Sequence, residues 1–94
     1  FKVLISKAVS LNGDGLGDKF VIERIENYPE NEVIIVDKGG KIVFKAHGYN
    51  NETIVFDGQS NDGAPVVDGT YYYRIILYDH GVVNRFTGYF KLKR

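Results

Sequence analysis

Hydrophobic and polar residues alternate along the chain in short runs, and glycine, asparagine and aspartate separate these runs. Alternation with a period of two is typical of strands with one buried face, and turn residues at this spacing are typical of all-β sandwiches. The pattern predicts strands at residues 2–6, 19–23, 32–37, 41–46, 53–56, 70–78 and 82–93, the last interrupted at Gly88. No segment shows a helical period. The sequence therefore predicts an all-β fold, an immunoglobulin-like β-sandwich of about seven antiparallel strands.

The alternation also assigns a buried face to several strands, because successive strand side chains point to opposite sides of a sheet. Lys41 and Lys45 share one face of the run 41–46 and belong in water, which places Ile42 and Phe44 on the buried face. The same reasoning applied along the chain predicts that Phe20, Phe86, Phe90 and Leu92 are buried with Ile42 and Phe44, and Phe56 is assigned to the core as well.

The segment 32–46 is predicted to form a hairpin. The glycines at 39 and 40 accept positive φ at both central turn positions, which favours a tight turn. The preceding run 33–36, Val-Ile-Ile-Val, does not alternate. A strand covered on both faces and a strand with an exposed apolar patch both produce this pattern, so both interpretations stay open.

Composition limits the classes of function. A length of 94 residues corresponds to one domain, and equal numbers of basic and acidic residues, 12 each, provide no basic field for nucleic acid or an anionic membrane. Cysteine is absent, which excludes disulfides and thiol catalysis. No apolar run approaches the roughly 20 residues that a membrane-spanning helix needs. Because the chain begins at Phe1 without a signal peptide, we expect a single domain, residues 1–94, excised from a longer protein.

The segment 10–18 is the one stretch that resembles a metal-binding loop. Aligned with an EF-hand loop, Asn12, Asp14 and Asp18 take ligand positions, but Ser10 replaces the usual first aspartate and Val21 the final glutamate. Two carboxylates predict at best weak calcium binding, with a dissociation constant of about 1 mM. The alternative is a turn in which the asparagine and aspartate side chains bond to backbone amides. The prediction is therefore no cofactor, with a weak calcium site as the open alternative.

No residue set points to catalysis. His47 and His80 each precede a glycine in a predicted loop, which is typical of exposed histidines. The serines lack a nucleophile-elbow context, and no glycine-rich loop precedes a helix that could hold phosphate. A carboxylate pair would need a deep cleft, for which a small sandwich has little room. We predict that the protein is not an enzyme.

The run 70–78 is rich in tyrosine. Arg74 identifies its own face, which also carries Tyr72, Ile76 and Tyr78, as outward. Two tyrosines on a flat sheet face could stack on sugar rings. The alternative is that they pair with side chains on neighbouring strands, as aromatic residues in sheets do.

Several short motifs recur in a fixed order along the chain. They are Asn-Gly-Asp-Gly at 12–15 followed by Asp18 and Phe20, Ile-Glu-Asn-Tyr-Pro at 25–29, Phe-Asp-Gly at 56–58, Asp-Gly-Thr-Tyr-Tyr-Tyr at 68–73 and Thr-Gly-Tyr-Phe at 87–90. Together they resemble the gliding-motility-associated C-terminal domain, the type B sorting domain of the type IX secretion system. The chain departs from the family pattern at Leu11, where proline is usual, at Gly17, where asparagine is usual, and at Phe56, where tryptophan is usual; the hairpin at 37–40 lacks the family's Asn-Arg-Trp-Gly.

The resemblance implies a C-terminal signal that directs a large surface adhesin, such as those used in gliding, across the outer membrane after passage through the periplasm. It implies recognition by the secretion machinery and a porin-like partner, with a cell-surface or secreted destination. We expect a monomer without nucleic-acid binding or membrane insertion. The basic and aromatic C-terminal strand is the predicted recognition element, as an edge strand that presents Tyr89, Lys91, Lys93 and Arg94. The alternative is a carbohydrate- or matrix-binding sandwich, or a structural spacer, of an adhesin.

Overall fold

The computed structural model describes residues 3–10 and 18–93. Strands account for most of the regular structure, with one short 3-10 helix at Ile25–Asn27. The strands are β1 (Leu4–Ile5), β2 (Ala8–Ser10), β3 (Ile22–Glu23), β4 (Asn31–Val36), β5 (Ile42–His47), β6 (Gly69–Asp79) and β7 (Val82–Lys93).

The strands form two sheets. β1 and β3 pair in a small antiparallel sheet, and the large sheet has the order β2-β7-β6-β4-β5. The chain passes from the small sheet to the large sheet between Ile5 and Ala8. The predicted all-β sandwich is confirmed, and the described residues contain the predicted number of strands. One pairing differs from the antiparallel expectation, because β2 lies parallel to β7.

The core lies on one face of the large sheet, here called the inner face, where it meets the small sheet and the segments that follow β3 and β5. The Phe20 ring stacks on Phe90 with centroids 4.6 Å apart, and Phe56 lies 5.4 Å from Phe44 and 6.0 Å from Phe90. Each fully buried ring contributes about 1.5–3 kcal/mol by leaving water. Of the predicted core, the residues confirmed as buried are Phe20, Phe44, Phe56, Phe90 and Leu92, and Phe86 is half-buried against them.

The prediction that Ile42 is buried is wrong. Its side chain is 52% exposed, because β4 pairs with β5 through a β-bulge: Ile35 lies opposite Phe44, whereas Val36 lies opposite Ile42. The extra residue, Val43, packs against the core. A bulge inserts one residue into one strand and breaks the two-residue alternation, so Ile42 and Phe44 do not share a face.

The predicted tight turn of the hairpin is present, but its geometry differs from the Gly-Gly expectation. Only Gly40 of the pair has a positive φ, 87°. One carboxylate oxygen of Asp37 accepts hydrogen bonds from the backbone N–H of Gly39, at 2.9 Å, and of Lys41, at 3.0 Å. The aspartate side chain therefore stabilises a turn that needs a left-handed residue at only one position.

Residues 53–56 were predicted as a strand and form a loop. The side-chain oxygen of Asn50 accepts hydrogen bonds from the backbone N–H groups of Glu52, Thr53 and Ile54, each at 2.9 Å. These bonds satisfy the amides that a neighbouring strand would otherwise pair with, so the segment needs no sheet partner.

The predicted interruption of the last strand at Gly88 is also wrong. β7 is continuous over twelve residues and pairs with β6 in an unbroken antiparallel register from Asp79–Val82 to Gly69–Leu92. Tyr73 lies directly opposite Gly88, and its ring covers the glycine. The aromatic ring occupies the space that a side chain at Gly88 would fill, which explains why glycine is accommodated inside this strand.

Candidate recognition surface

The opposite face of the large sheet, here called the outer face, is not covered by any described element. One row of apolar side chains crosses it through four adjacent strands: Ile42, Val36, Tyr72 and Tyr89 pair in sequence. Tyr72 is 44% and Tyr89 is 59% exposed. In the run 33–36, Val33 and Ile35 are buried while Ile34 and Val36 are half-buried on the outer face. Of the two interpretations left open for this run, the structure supports the apolar patch.

Three of the four predicted recognition residues lie together on the outer face. Tyr89, Lys91 and Lys93 alternate along β7 with the buried Phe90 and Leu92 and are all exposed. Arg94 lies outside the described residues. The predicted direction of each of the three side chains is confirmed, whereas their role in recognition stays a prediction.

The prediction that the C-terminal segment forms a free edge is wrong. Lys91 and Leu92 lie between β6 and β2, and Lys93 pairs with β2, because Ala8, Val9 and Ser10 pair with Lys91, Leu92 and Lys93. The backbone N–H of Lys91 donates to the carbonyl oxygen of Lys7 at 3.1 Å. The backbone of Lys91 is therefore held on both sides, and that of Lys93 is held by β2.

The predicted faces of the tyrosine-rich strand are confirmed except at Ile76, which holds an outward position but is buried, with 9% of its surface exposed. Tyr72 and Tyr78 are exposed on the outer face, and Tyr71, Ile75 and Leu77 are buried on the inner face. Tyr72 lies opposite Tyr89, and Tyr78 lies opposite Val83, as in the alternative in which aromatic side chains pair across strands. Both tyrosines nevertheless keep substantial exposed area.

Basic side chains surround the apolar row. Arg74 and Arg85 join Lys91 and Lys93 on the outward positions of β6 and β7, which carry no carboxylate between Thr70 and Tyr78 or between Val83 and Lys93. On β4, which pairs with β6, Glu32 is acidic, and its carboxylate lies 3.2 Å from His47. The surface along β7 is therefore basic although the whole chain has no net charge.

A buried tyrosine hydroxyl on the inner side of the large sheet links two loop segments through hydrogen bonds. The hydroxyl of Tyr49 donates to the carbonyl oxygen of Phe20 at 2.5 Å and accepts from the backbone N–H of Phe56 at 2.8 Å. Burial raises the pKa of Tyr49 well above its usual value, so the hydroxyl remains protonated. Sequence reasoning missed this residue, because His-Gly-Tyr-Asn indicates only a loop. Its hydrogen bonds connect Phe20 and Phe56, which belong to two different motifs of the family.

The proposed metal ligands cannot be assembled from the described residues. Asn12 and Asp14 lie outside the described residues, and Asp18 is half-buried at the start of the second described segment. Within residues 3–10 and 18–93, no group of three histidine, cysteine or acidic side chains is arranged to hold a metal ion. The weak calcium site stays a prediction, as does the absence of catalysis.

The fold and the outer surface define a small all-β sandwich domain that presents an apolar and basic sheet face. The family model of the CHU_C type IX secretion signal domain matches residues 3–92, and the chain belongs to this family. No curated protein matches the chain. No described helix is long and apolar enough to span a bilayer. Family membership identifies the domain as a sorting signal that interacts with the type IX secretion machinery and directs export to the cell surface or the medium.

Proposed function

We propose that this domain is the C-terminal signal by which a large surface adhesin, of the kind used in gliding motility, crosses the outer membrane through the type IX secretion system. The observation that carries the proposal is the family match over residues 3–92. In this proposal the folded domain passes through the periplasm, binds a porin-like outer-membrane partner as a monomer, and carries out no reaction.

The geometry of β7 supports recognition at the outer face. Lys91 and Lys93 project from a strand that β6 and β2 hold on both sides, so little backbone entropy is lost when a partner binds. Tyr89 adds a large exposed ring beside them. A basic and aromatic surface of this kind suits a partner with acidic and apolar groups.

The test is an export assay with a fluorescent reporter that carries a periplasmic signal and is followed by this domain, in a host with the secretion system. Deletion of residues 89–94 would remove Phe90 and Leu92 from the core and unfold the domain. The better variant is Lys91→Ala/Lys93→Ala/Arg94→Ala, because it leaves the core unchanged. Lys38→Ala/Lys41→Ala at the β4–β5 hairpin is the control, since it removes exposed charge away from β7.

We expect the parent fusion and the hairpin control to reach the cell surface or the medium, and the β7 variant to accumulate in the periplasm. Equal export of the reporter with and without the domain would contradict the sorting function. Equal export of the folded β7 variant and the parent would be compatible with the sorting function, but it would show that these three residues are not part of the recognition site.

Carbohydrate binding is the second candidate function, because Tyr72 and Tyr89 form an exposed aromatic pair on a flat sheet face. Sugar rings stack on such surfaces through their apolar faces. Retention of the purified domain on insoluble cell-surface polysaccharide, lost in Tyr72→Ala/Tyr89→Ala, would support this function. No retention of the parent domain would exclude it for that polysaccharide.

A further inference from the structure

The two edges of the large sheet are protected to different extents against pairing with a further strand. At the β5 side, Asn61 occupies the position of a further strand. Its backbone N–H donates to the carbonyl oxygen of Val43 at 3.2 Å, and its side-chain amide bonds to both the carbonyl oxygen and the N–H of Lys45, at 3.1 and 2.7 Å. This edge is therefore blocked by a residue from the loop that follows β5.

The β7 side is blocked over only part of its length, because β2 pairs with residues 91–93 alone. The Lys91 N–H points away from β6, toward Lys7. In an antiparallel ladder successive amides alternate in direction, and the β6–β7 register is unbroken, so the N–H groups of Val83, Arg85, Thr87 and Tyr89 point to the same side as that of Lys91. No described strand pairs with them. We call residues 83–89 the open edge; at about 3.4 Å per residue it is roughly 20 Å long.

The open edge carries only one of the devices that natural proteins use to prevent strand pairing, the charged side chain of Arg85. Val82 and Val83 are 54% and 46% exposed, and Thr87 and Tyr89 follow, all residues that favour strands. Arg85 is the one charged side chain between Val82 and Tyr89, and the segment contains no proline and no bulge. Lysines, prolines and bulges are the usual protection of an edge. A groove of about 370 Å³, lined by Lys7, Tyr73, Gly88, Tyr89 and Lys91, lies where β2 leaves β7.

We propose that an extended segment of a partner protein adds to the large sheet at the open edge, in line with β2. Strand addition supplies main-chain hydrogen bonds, and the side chains at alternate positions provide specificity. The incoming strand carries acidic side chains on the outer face, because Arg85, Arg74 and Lys91 surround this edge and the outward positions of β7 carry no carboxylate. The proposal rests on the proposed function only for the identity of the partner, a component of the export machinery.

The first measurement is amide hydrogen exchange of the free domain by NMR. The N–H groups of Arg85 and Thr87 are expected to exchange rapidly, whereas those of Asn84 and Phe86, which point toward β6, are protected. Equal protection of the two sets would show that the edge is already covered and would overturn the proposal, whatever the export assay gives.

The second measurement uses the reporter fusion described above, with Thr87→Pro and Thr87→Val. Proline at position 87 removes an N–H that faces the open edge and leaves the bonds to β6 in place, as prolines in edge strands do. We expect export to fall by about tenfold or more, which corresponds to loss of about one good main-chain interaction. Thr87→Val keeps the N–H and the branched side chain, and we expect it to export like the parent. Melting temperatures establish that each variant folds.

Arg85→Glu and Arg85→Gln test the charge of the incoming strand without changing the backbone, and they decide the matter if Thr87→Pro does not fold. Arg85→Glu is expected to export less than Arg85→Gln, because it places like charges across the new strand pair. Export of Arg85→Glu equal to that of Arg85→Gln, or parent-like export of a folded Thr87→Pro protein, would overturn the proposal. A parent fusion that stays in the periplasm would instead contradict the proposed function, and with it the partner named here.

Discussion

Substitution of Gly88 by alanine is expected to destabilise the domain, although alanine is normally the better strand residue. A Cβ added at Gly88 would lie 2.6 Å from Cζ and 3.0 Å from Cε2 of Tyr73. These distances are shorter than carbon atoms tolerate, so the Tyr73 ring must swing away. It would then lose its packing against Phe20, whose ring centroid lies 5.6 Å from its own.

The magnitude follows from two opposing effects. Overpacking a well-filled site costs about 1–3 kcal/mol, whereas replacing glycine by alanine in a strand otherwise stabilises by about 0.5–1 kcal/mol. The difference predicts a net loss of up to about 2.5 kcal/mol in the free energy of unfolding, measured by urea titration with an unchanged m-value.

A double-mutant cycle tests the reasoning. In the Tyr73→Ala background the ring is absent, so Gly88→Ala should become neutral or stabilising by about 0.5–1 kcal/mol. An equal cost of Gly88→Ala in both backgrounds would show that the ring over the glycine is not the cause.

Three further predictions concern the core and the N-terminal loop. Phe56→Ala should lower the free energy of unfolding by about 3–5 kcal/mol, because the Phe56 ring is fully buried between Phe44 and Phe90; parent-like stability in urea would contradict this. Tyr49→Phe should cost about 1–3 kcal/mol, since it leaves the Phe20 carbonyl and the Phe56 N–H without this partner. The pKa of Tyr49 is raised in the folded state, so the contribution of its hydroxyl to stability is complete below the unfolded-state pKa of about 10 and is lost as the pH rises above that value. Above this pH the parent should lose stability more steeply than Tyr49→Phe, by up to about 1.4 kcal/mol per pH unit. Parallel pH profiles of the two proteins would refute this. If the loop that contains Asp14 binds calcium, calcium at about 1 mM should raise the melting temperature of the parent but not of Asp14→Ala, whereas identical melts with calcium and with chelator would leave only the turn.

The two-residue period predicted β6 and β7 well, because both strands are long, regular and covered on one face only. It assigned Tyr72 and Arg74 outward and Phe90 and Leu92 inward, as the structure shows. The same rule failed at Ile42, because the bulge in β5 depends on its register with β4 and has no marker in the local pattern. Alternation therefore predicts the faces of a strand only where the ladder is unbroken.

Local side chains account for the missed loop at 53–56. The Thr-Ile-Val-Phe run favours a strand, but a single side-chain oxygen of Asn50 accepts hydrogen bonds from three nearby backbone amides. Asparagine competes with sheet formation in this way, and propensity alone does not include the competition. The run is consequently a loop that delivers Phe56 to the core.

For the candidate site, the directions of the side chains were predicted correctly, whereas the strand pairing of the backbone was predicted wrongly. The period of two correctly placed Tyr89, Lys91 and Lys93 on one exposed face. The free edge was assigned to the wrong part of β7, because β2 pairs with residues 91–93 from about 80 positions earlier in the chain. A three-residue parallel strand, Ala-Val-Ser, has too little pattern to reveal such a pairing.

Several described aromatic residues of the family motifs meet in the core, whereas Tyr72 and Tyr89 of the same motifs lie exposed on the outer face. Phe90 contacts Phe20 and Phe56, and its ring stacks on Tyr71 with centroids 5.9 Å apart. Core positions tolerate aromatic exchange when the volume is filled, so phenylalanine in place of tryptophan at position 56 is compatible with the fold. The buried motif residues therefore account for the sandwich core, and the role of the exposed residues of β7 in recognition stays a prediction. It follows that variants such as Arg85→Glu, which leave Phe90 and its neighbours unchanged, separate recognition from folding, and that deletion of the final strand does not.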